Sequence, residues 1–336
     1  RRAFTLVELL VVIALIGVLA ALLLSALSSA QQRARSTQTT ATMEAFAAAC
    51  ETFFQDHGEY PGVVPDALLM ANLDNNGIPP ISSLENALYH LMGGYVIEGV
   101  DGNYNDATDG WSEIDFGSGF RIKFALNSEL IGNGPRIGGR QYPAYFTPPE
   151  GTLIKTFGQA GGGPNLLDIA DAWGQPLMLL RKQRTIGLLP NNSNPNSPDG
   201  NPSSWQFRTE GIAPYVESNS LGELRKQQRY SNPEDQPSSV LSNAGGNTGF
   251  YKGNIGRLLA NSAIQDTSGL FTQARGSMLL MSAGPDGIYF SSWDGPGSQD
   301  EPVNNWNDIY PDQSGLQPLT EPALREYDDI LRFIGS

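Results

Sequence analysis

Phe4-Thr5-Leu6-Val7-Glu8-Leu9-Leu10-Val11-Val12-Ile13-Ala14-Leu15-Ile16-Gly17-Val18-Leu19-Ala20-Ala21-Leu22-Leu23-Leu24 is the stretch on which the reading of the whole chain turns. From Leu9 to Leu24 every residue is apolar or glycine, and no charge occurs from Leu9 through Ala30. At ~1.5 Å per helical residue, Leu6 to Leu27 covers the ~30 Å hydrocarbon core of a bilayer. The pattern predicts a membrane-spanning helix over about residues 6–27. Glu8 is the exception. A carboxylate costs ~2.5–3.5 kcal/mol at mid-bilayer and less near the interface, so it calls for a partner or a role.

Other assignments fit the same residues. A signal peptide has a basic flank and an apolar core, and Ser28-Ser29-Ala30 before Gln31-Gln32 offers it a small-x-small cut. A plain single-span anchor would hold Glu8 at the headgroup level. A buried core helix of a soluble protein is a third assignment, poorly matched by the length and position of the run.

The helical pattern continues past the apolar run. The first proline is Pro61, and Gly17 is the only glycine before Gly58. One helix of ~75 Å is therefore predicted over residues 4–57, at ~1.5 Å per residue. Its character changes at Gln31. The first half is apolar all round, with small residues (Ala14, Gly17, Ala20, Ala21) that let such helices approach closely. The second half is polar apart from one stripe, Met43, Phe46, Cys50 and Phe53, which suits packing on a globular head. His57-Gly58-Glu59-Tyr60-Pro61-Gly62 ends it with a glycine and then a proline.

The net charge of −14 belongs to the part beyond the helix. Residues 1–57 hold Arg1, Arg2, Arg33 and Arg35 against Glu8, Glu44, Glu51 and Asp56, which cancel. An acidic head over 58–336 repels nucleic acid and anionic lipid and favours cations. With 38 Gly, 23 Pro and few charges, it is expected to be rich in loops and strands. The single cysteine, Cys50, rules out an intramolecular disulfide and reads as a small buried hydrophobe.

Within the head, Leu84 to Met92 reads as a short helix. Arg121–Leu126 and Thr152–Phe157 alternate like strands. Asp101-Gly102-Asn103-Tyr104-Asn105-Asp106-Ala107-Thr108-Asp109-Gly110 spaces its oxygen side chains like a calcium loop. It lacks the glycine at the sixth position and the acid at the twelfth, so it reads either as an ion loop of another kind or as a polar turn. Asp171-Ala172-Trp173-Gly174-Gln175-Pro176-Leu177 reads as a tight turn leading into a strand. From about 190 to 249 the composition turns to Asn, Ser, Pro and Gly, and a surface insertion is predicted.

Ser277–Ser282 reads as a buried strand running into the turn Ala283-Gly284-Pro285-Asp286-Gly287. Asp328-Asp329-Ile330 lies near the C-terminus. Between them come Asp294, Asp300, Glu301, Asn304, Asn305, Asp308 and Asp312. Calcium takes six to eight oxygens, and carboxylates this dense repel one another without a cation. A solvated acidic loop is the alternative. Signs of an enzyme are thin: the two histidines are His57 and His90, and no nucleophile elbow, His-Glu-x-x-His helix, Walker loop or paired-cysteine site occurs.

Taken together, the motifs resemble a known family. Arg2-Ala3-Phe4-Thr5-Leu6-Val7-Glu8-Leu9-Leu10-Val11-Val12 resembles the cleavage and methylation motif of type IV prepilins and type II secretion pseudopilins. The resemblance implies a leader ending at residues 1–3, a cut between Ala3 and Phe4, and N-methylation of Phe4. It also implies that Glu8 neutralises the amine of a neighbouring subunit. Ala3 stands where the family nearly always has Gly, and Ser25 where many members have Pro. The His57–Gly62 junction, the Asp171–Leu177 turn, the segment Ser277–Gly287 and Asp328-Asp329-Ile330 most resemble their counterparts in the major, G-type pseudopilin.

This implies an α+β, pilin-like fold: a long N-terminal helix packed on an antiparallel sheet, with large loop insertions. The implied function is that of a structural, non-enzymatic subunit of a type II secretion pseudopilus. The alternatives are a type IV pilus subunit and a membrane-anchored or secreted envelope domain that binds or hydrolyses. The implied partners are copies of itself, minor pseudopilins, a prepilin peptidase, the inner-membrane assembly platform and lipid, with no nucleic acid. The implied location is a single pass of the bacterial inner membrane, then an envelope filament. The matching strand end and closing motif imply a calcium ion within a loop spanning 283–330, held by the Ala283 carbonyl, Asp286, Asp328 and Asp329.

Overall fold

The computed structural model describes residues 6–65, 81–97, 111–114, 124–127, 129–155, 166–185, 187–190, 205–209, 212, 239–241, 248–261, 273–296 and 319–335. A single helix, α1, runs Leu6–His57 without interruption. Gly58 ends it in the left-handed conformation (φ +76), its amide closing on the Phe54 carbonyl at 2.7 Å. The apolar residues of its first half are exposed, Leu6 through Leu27. Among the described residues this is the one helix long and apolar enough to cross a membrane. From Thr39 onward one face is buried, and Met43, Phe46, Cys50 and Phe53 are all at most 1% exposed. The predicted stripe is thus the seam between stem and head.

The centre of the head is an antiparallel three-stranded sheet of β8 (Met178–Arg181), β9 (Met278–Ser282) and β10 (Ile330–Ile334), in the order β10-β9-β8. Leu179 pairs with Leu280, and Leu280 with Arg332. Met178-Leu179-Leu180 and Met278-Leu279-Leu280-Met281 are continuous apolar runs because both faces of the sheet are covered. One face carries Leu179, Met278 and Leu280 against α1 and α2 (Ser83–Met92). The other turns Met178, Leu180, Leu279 and Met281 toward α3 (Thr248–Leu259), Phe207, Tyr289, Phe290 and Tyr327. Helix α2 starts in a full capping box, Ser82 to the Glu85 amide and Glu85 back to the Ser82 amide.

The remaining strands are short. Tyr95–Ile97, Ser112–Ile114 and Phe124–Leu126 (β1–β3) form a second three-stranded sheet, and Arg136–Ile137 pairs with Arg140–Gln141 (β4, β5). Leu153–Lys155 (β6) pairs with Leu167–Ile169 (β7). The strands expected at 121–126 and 152–157 are present in shortened form, with residues 121–123 and 156–157 outside the described region. The oxygen-rich turn at 101–110 also lies outside it.

Of the stretch from about 190 to 249, the structure describes residues 190, 205–209, 212, 239–241 and 248–249. Trp205, Phe207, Ile212, Val240 and Leu241 are all buried, and all but Trp205 belong to the core on the far face of the sheet. These apolar residues, diluted in the sequence among Asn, Ser and Pro, are built into the head.

The junction between stem and head is held by polar side chains. Arg181 at the end of β8 donates to the carbonyls of Tyr60, Pro61 and Val64 at 3.0–3.4 Å. His90 Nδ1 accepts the Gly62 amide at 2.9 Å, and Asn86 bonds both the amide and the carbonyl of Val64. A Cβ at Gly62 would run into the Arg181 guanidinium and push it off the carbonyls it bonds.

Candidate functional site

The residues singled out in the sequence fall into an N-terminal group and a C-terminal group. Ala3 and Phe4 lie outside the described residues, and Glu8 sits on the first turns of α1. The C-terminal group is better defined. Strand β9 ends at Ser282, Ala283 is buried in the core behind it, and residues 284–287 turn sharply. Gly284 and Gly287 both have positive φ (+65 and +74). At Gly284 the reason is also steric, since a Cβ would strike the Asp328 carbonyl.

That close approach sets two carboxylates side by side. Asp286 donates its amide to Asp328 Oδ2 at 3.1 Å, and its own Oδ1 accepts the Ile288 amide at 2.7 Å. Asp294 joins them from the next turn, where Gly295 lies against the Tyr327 ring and leaves no room for a side chain. The carboxylates of Asp286, Asp294 and Asp328 converge, with an oxygen of each within 4.8 Å of the others. Asp329, adjacent in sequence, accepts the Phe290 amide on Oδ2 at 2.9 Å, while its Oδ1 is buried and accepts no hydrogen bond among the described residues. Phe290 adopts a left-handed backbone (φ +48), which costs a residue with a side chain ~1–3 kcal/mol. It is held there by Asp329 at its amide and Val240 at its carbonyl.

The electrostatics of the cluster disfavour a charged Asp329. Burial pushes the Asp329 carboxyl well above the usual range; the Phe290 amide opposes this, and the charges of Asp328, Asp286 and Asp294 push it further up. A divalent cation among these oxygens would offset both the burial and the mutual repulsion, and an all-oxygen donor set suits a hard cation such as calcium. The structure brings two of the four sequence-proposed positions, Asp286 and Asp328, together with Asp294; Asp329 accepts the Phe290 amide, and Ala283 is buried in the core. Asp294 was noticed in the sequence only as part of the acidic stretch. Its local signal is the Asp-Gly pair at 294–295, which marks a turn able to bring the carboxylate back.

A second polar cluster sits at the end of α1. Tyr145 donates to Asp56 Oδ2 at 2.9 Å and lies 3.0 Å from His57 Nε2. Burial, then the contact with Asp56, pushes the Tyr145 phenol up to about 12, so it stays protonated and acts as a donor. Cys50 is buried and its thiol is likewise pushed up, chiefly by burial, which keeps it from being a thiolate nucleophile.

Comparison with known proteins bears on the N-terminal group. Residues 1–24 match the family model of the prokaryotic N-terminal methylation motif. No curated protein and no solved structure is matched by the chain.

Proposed function

We infer, for a chain headed by the methylation motif of type IV pilin-like proteins, a structural role as the subunit of a filament assembled from the bacterial inner membrane, specifically a type II secretion pseudopilus. One observation carries this reading. The motif opens a continuous 52-residue helix whose apolar first half is exposed and whose second half is built into the head. Such a subunit stores its first half in lipid and, on assembly, moves it into a bundle of identical helices. Glu8 is the group proposed to neutralise a neighbour's N-terminal amine in that bundle, and a prepilin peptidase is proposed to cut between Ala3 and Phe4. A pilus subunit would share these features. The resemblance of the 171–177 turn and of the loop around Asp286 to major pseudopilins favours the pseudopilus.

The test is the N-terminus and mass of protein taken from cells, together with filaments from a Glu8→Ala strain. Methylated Phe4 and a variant that is inserted and cleaved but does not polymerise are expected. Mature protein starting at Gln31, or normal filaments from Glu8→Ala, would sink the reading.

Calcium at the acidic site belongs to the same proposal. Asp286, Asp294, Asp328 and Asp329 would hold it, and the ion would supply the charge that lets these carboxylates stay together. Binding to the folded form stabilises by ~2.7 kcal/mol at a hundredfold excess over Kd. The chain in detergent should therefore melt lower in EGTA and recover with calcium but not with magnesium, which resists dehydration. Asp328→Asn should erase the difference. Identical melting in calcium and EGTA would leave the cluster as solvated surface.

A further inference from the structure

The acidic site is wired to the stem. Its loop leaves β9 at Ser282, which is 0% exposed. The Ser282 hydroxyl donates to Asp171 Oδ2 at 2.8 Å and accepts the Gly284 amide at 3.3 Å. The other Asp171 oxygen, Oδ1, accepts the amides of Trp173 and Gln175, each at 2.9 Å. The intervening amide, that of Ala172, donates to Thr39 Oγ1 on α1 at 3.0 Å. A second tie runs in parallel: the buried Tyr289 hydroxyl donates to the Pro176 carbonyl. A side chain at Gly287 would meet Gln175. One short turn, residues 171–177, thus grips the acidic loop on one side and the helix on the other.

The position of Thr39 gives this connection its meaning. Along α1 from the N-terminus, Thr39 is the first fully buried residue, so it marks where the stem leaves the head. Coupling between distant sites needs a contiguous network and an element with two arrangements. The network is the hydrogen-bonded chain Gly284–Ser282–Asp171–Ala172–Thr39, buried at every member but the half-buried Ala172. The element would be the loop, whose converging carboxylates would repel one another when charged and would be held together by a cation. Shifting that loop would strip a buried acceptor or donor from the chain, which is costly.

We propose that the 171–177 turn is a coupler through which a cation at the acidic site tightens the head's hold on α1 at Thr39, with Ser282 and Tyr289 as its positioning residues. The coupling rests on the cation reading given above. It makes the firmness of the stem at its exit from the head a function of divalent cation.

Hydrogen–deuterium exchange on the full chain in detergent, with calcium or with EGTA, tests it in segments 284–296, 171–177 and 36–44. Calcium should slow exchange in all three. In the double variant Ser282→Ala/Tyr289→Phe the response of 284–296 should persist, while that of 36–44 falls by ~fivefold or more, the factor expected from losing one ordinary hydrogen bond. Thr39→Val cuts the chain at the helix, far from the loop. It should keep the calcium response in 284–296 and 171–177 and lose it in 36–44, and Thr39→Ser should restore it. An undiminished helix response in these variants overturns the coupling, as does a native helix that ignores calcium while its loop responds. A loop that ignores calcium overturns the cation reading, and the coupling falls with it.

Discussion

The two halves of α1 share one unbroken backbone and meet opposite surroundings. Residues 6–27 present leucine, valine and isoleucine all round the helix, and those side chains are exposed. Residues 39–53 present polar side chains outward and bury a single seam against α2 and the sheet. The helix itself is therefore not what distinguishes stem from head. What differs is where the apolar surface is satisfied: in the second half within the chain, in the first half only by lipid or by other chains.

The comparison breaks most sharply at Phe53. It is fully buried, with its ring against His90, Tyr145 and His57. Phe53→Ala should destabilise the head by ~3–5 kcal/mol, whereas Leu15→Ala in the first half should change head stability by less than ~0.5 kcal/mol. Chemical denaturation of both variants in detergent, read by head fluorescence, checks this. Equal losses would mean that the first half is also packed on the head.

A smaller loss is expected at the junction. Arg181→Met keeps the apolar stem but takes the donor from the carbonyls of Tyr60 and Pro61, while Val64 keeps Asn86, at ~2–4 kcal/mol. The same denaturation experiment reads it, and a loss below ~1 kcal/mol would show that the segment after α1 holds itself in place.

His90 adds a pH dependence to that junction. Burial, followed by the charge of Arg181, lowers its imidazole to about 3. The unfolded chain takes up this proton near ~6.5, so stability is present at neutral pH and lost as pH falls through the window down to about 3. The contribution to the slope is ~1.4 kcal/mol per pH unit. His90→Asn keeps an acceptor for the Gly62 amide and cannot charge. Its stability should fall less steeply than that of the native chain between pH 6 and 4, and parallel curves would show that His90 is not buried neutral.

The smallest effect is expected where the helix meets β10 at the surface. Arg332 and Glu44 lie 3.3 Å apart, and both side chains are about half exposed. Such a pair contributes ~0–1 kcal/mol and is screened by salt. Arg332→Ala should cost less than ~0.5 kcal/mol, and less still at high salt. A larger, salt-independent loss would mean that the aliphatic part of Arg332 seals the seam.

The helix, its change of character at Gln31, the stripe from Met43 to Phe53, the stop at Gly58, the α2 helix and the two apolar strands were all legible in the sequence. Each is written in neighbouring residues, through periodicity, caps and breakers, which act over a few positions. That Asp286 and Asp328 meet was legible only through resemblance to a known pattern, since no local rule relates positions 42 residues apart. The tertiary structure alone decided the rest. It covers the second face of the sheet with Phe207, Val240 and Leu241 from a stretch whose composition reads as surface, because a few apolar anchors vanish in an average. It brings Asp294 to the acidic site, and it spends Arg181 on carbonyls some 120 residues away. It also joins Ala172 to Thr39 across 133 residues. Such pairings depend on the path of the whole chain, and a buried hydrogen bond leaves no periodicity in the sequence around either partner.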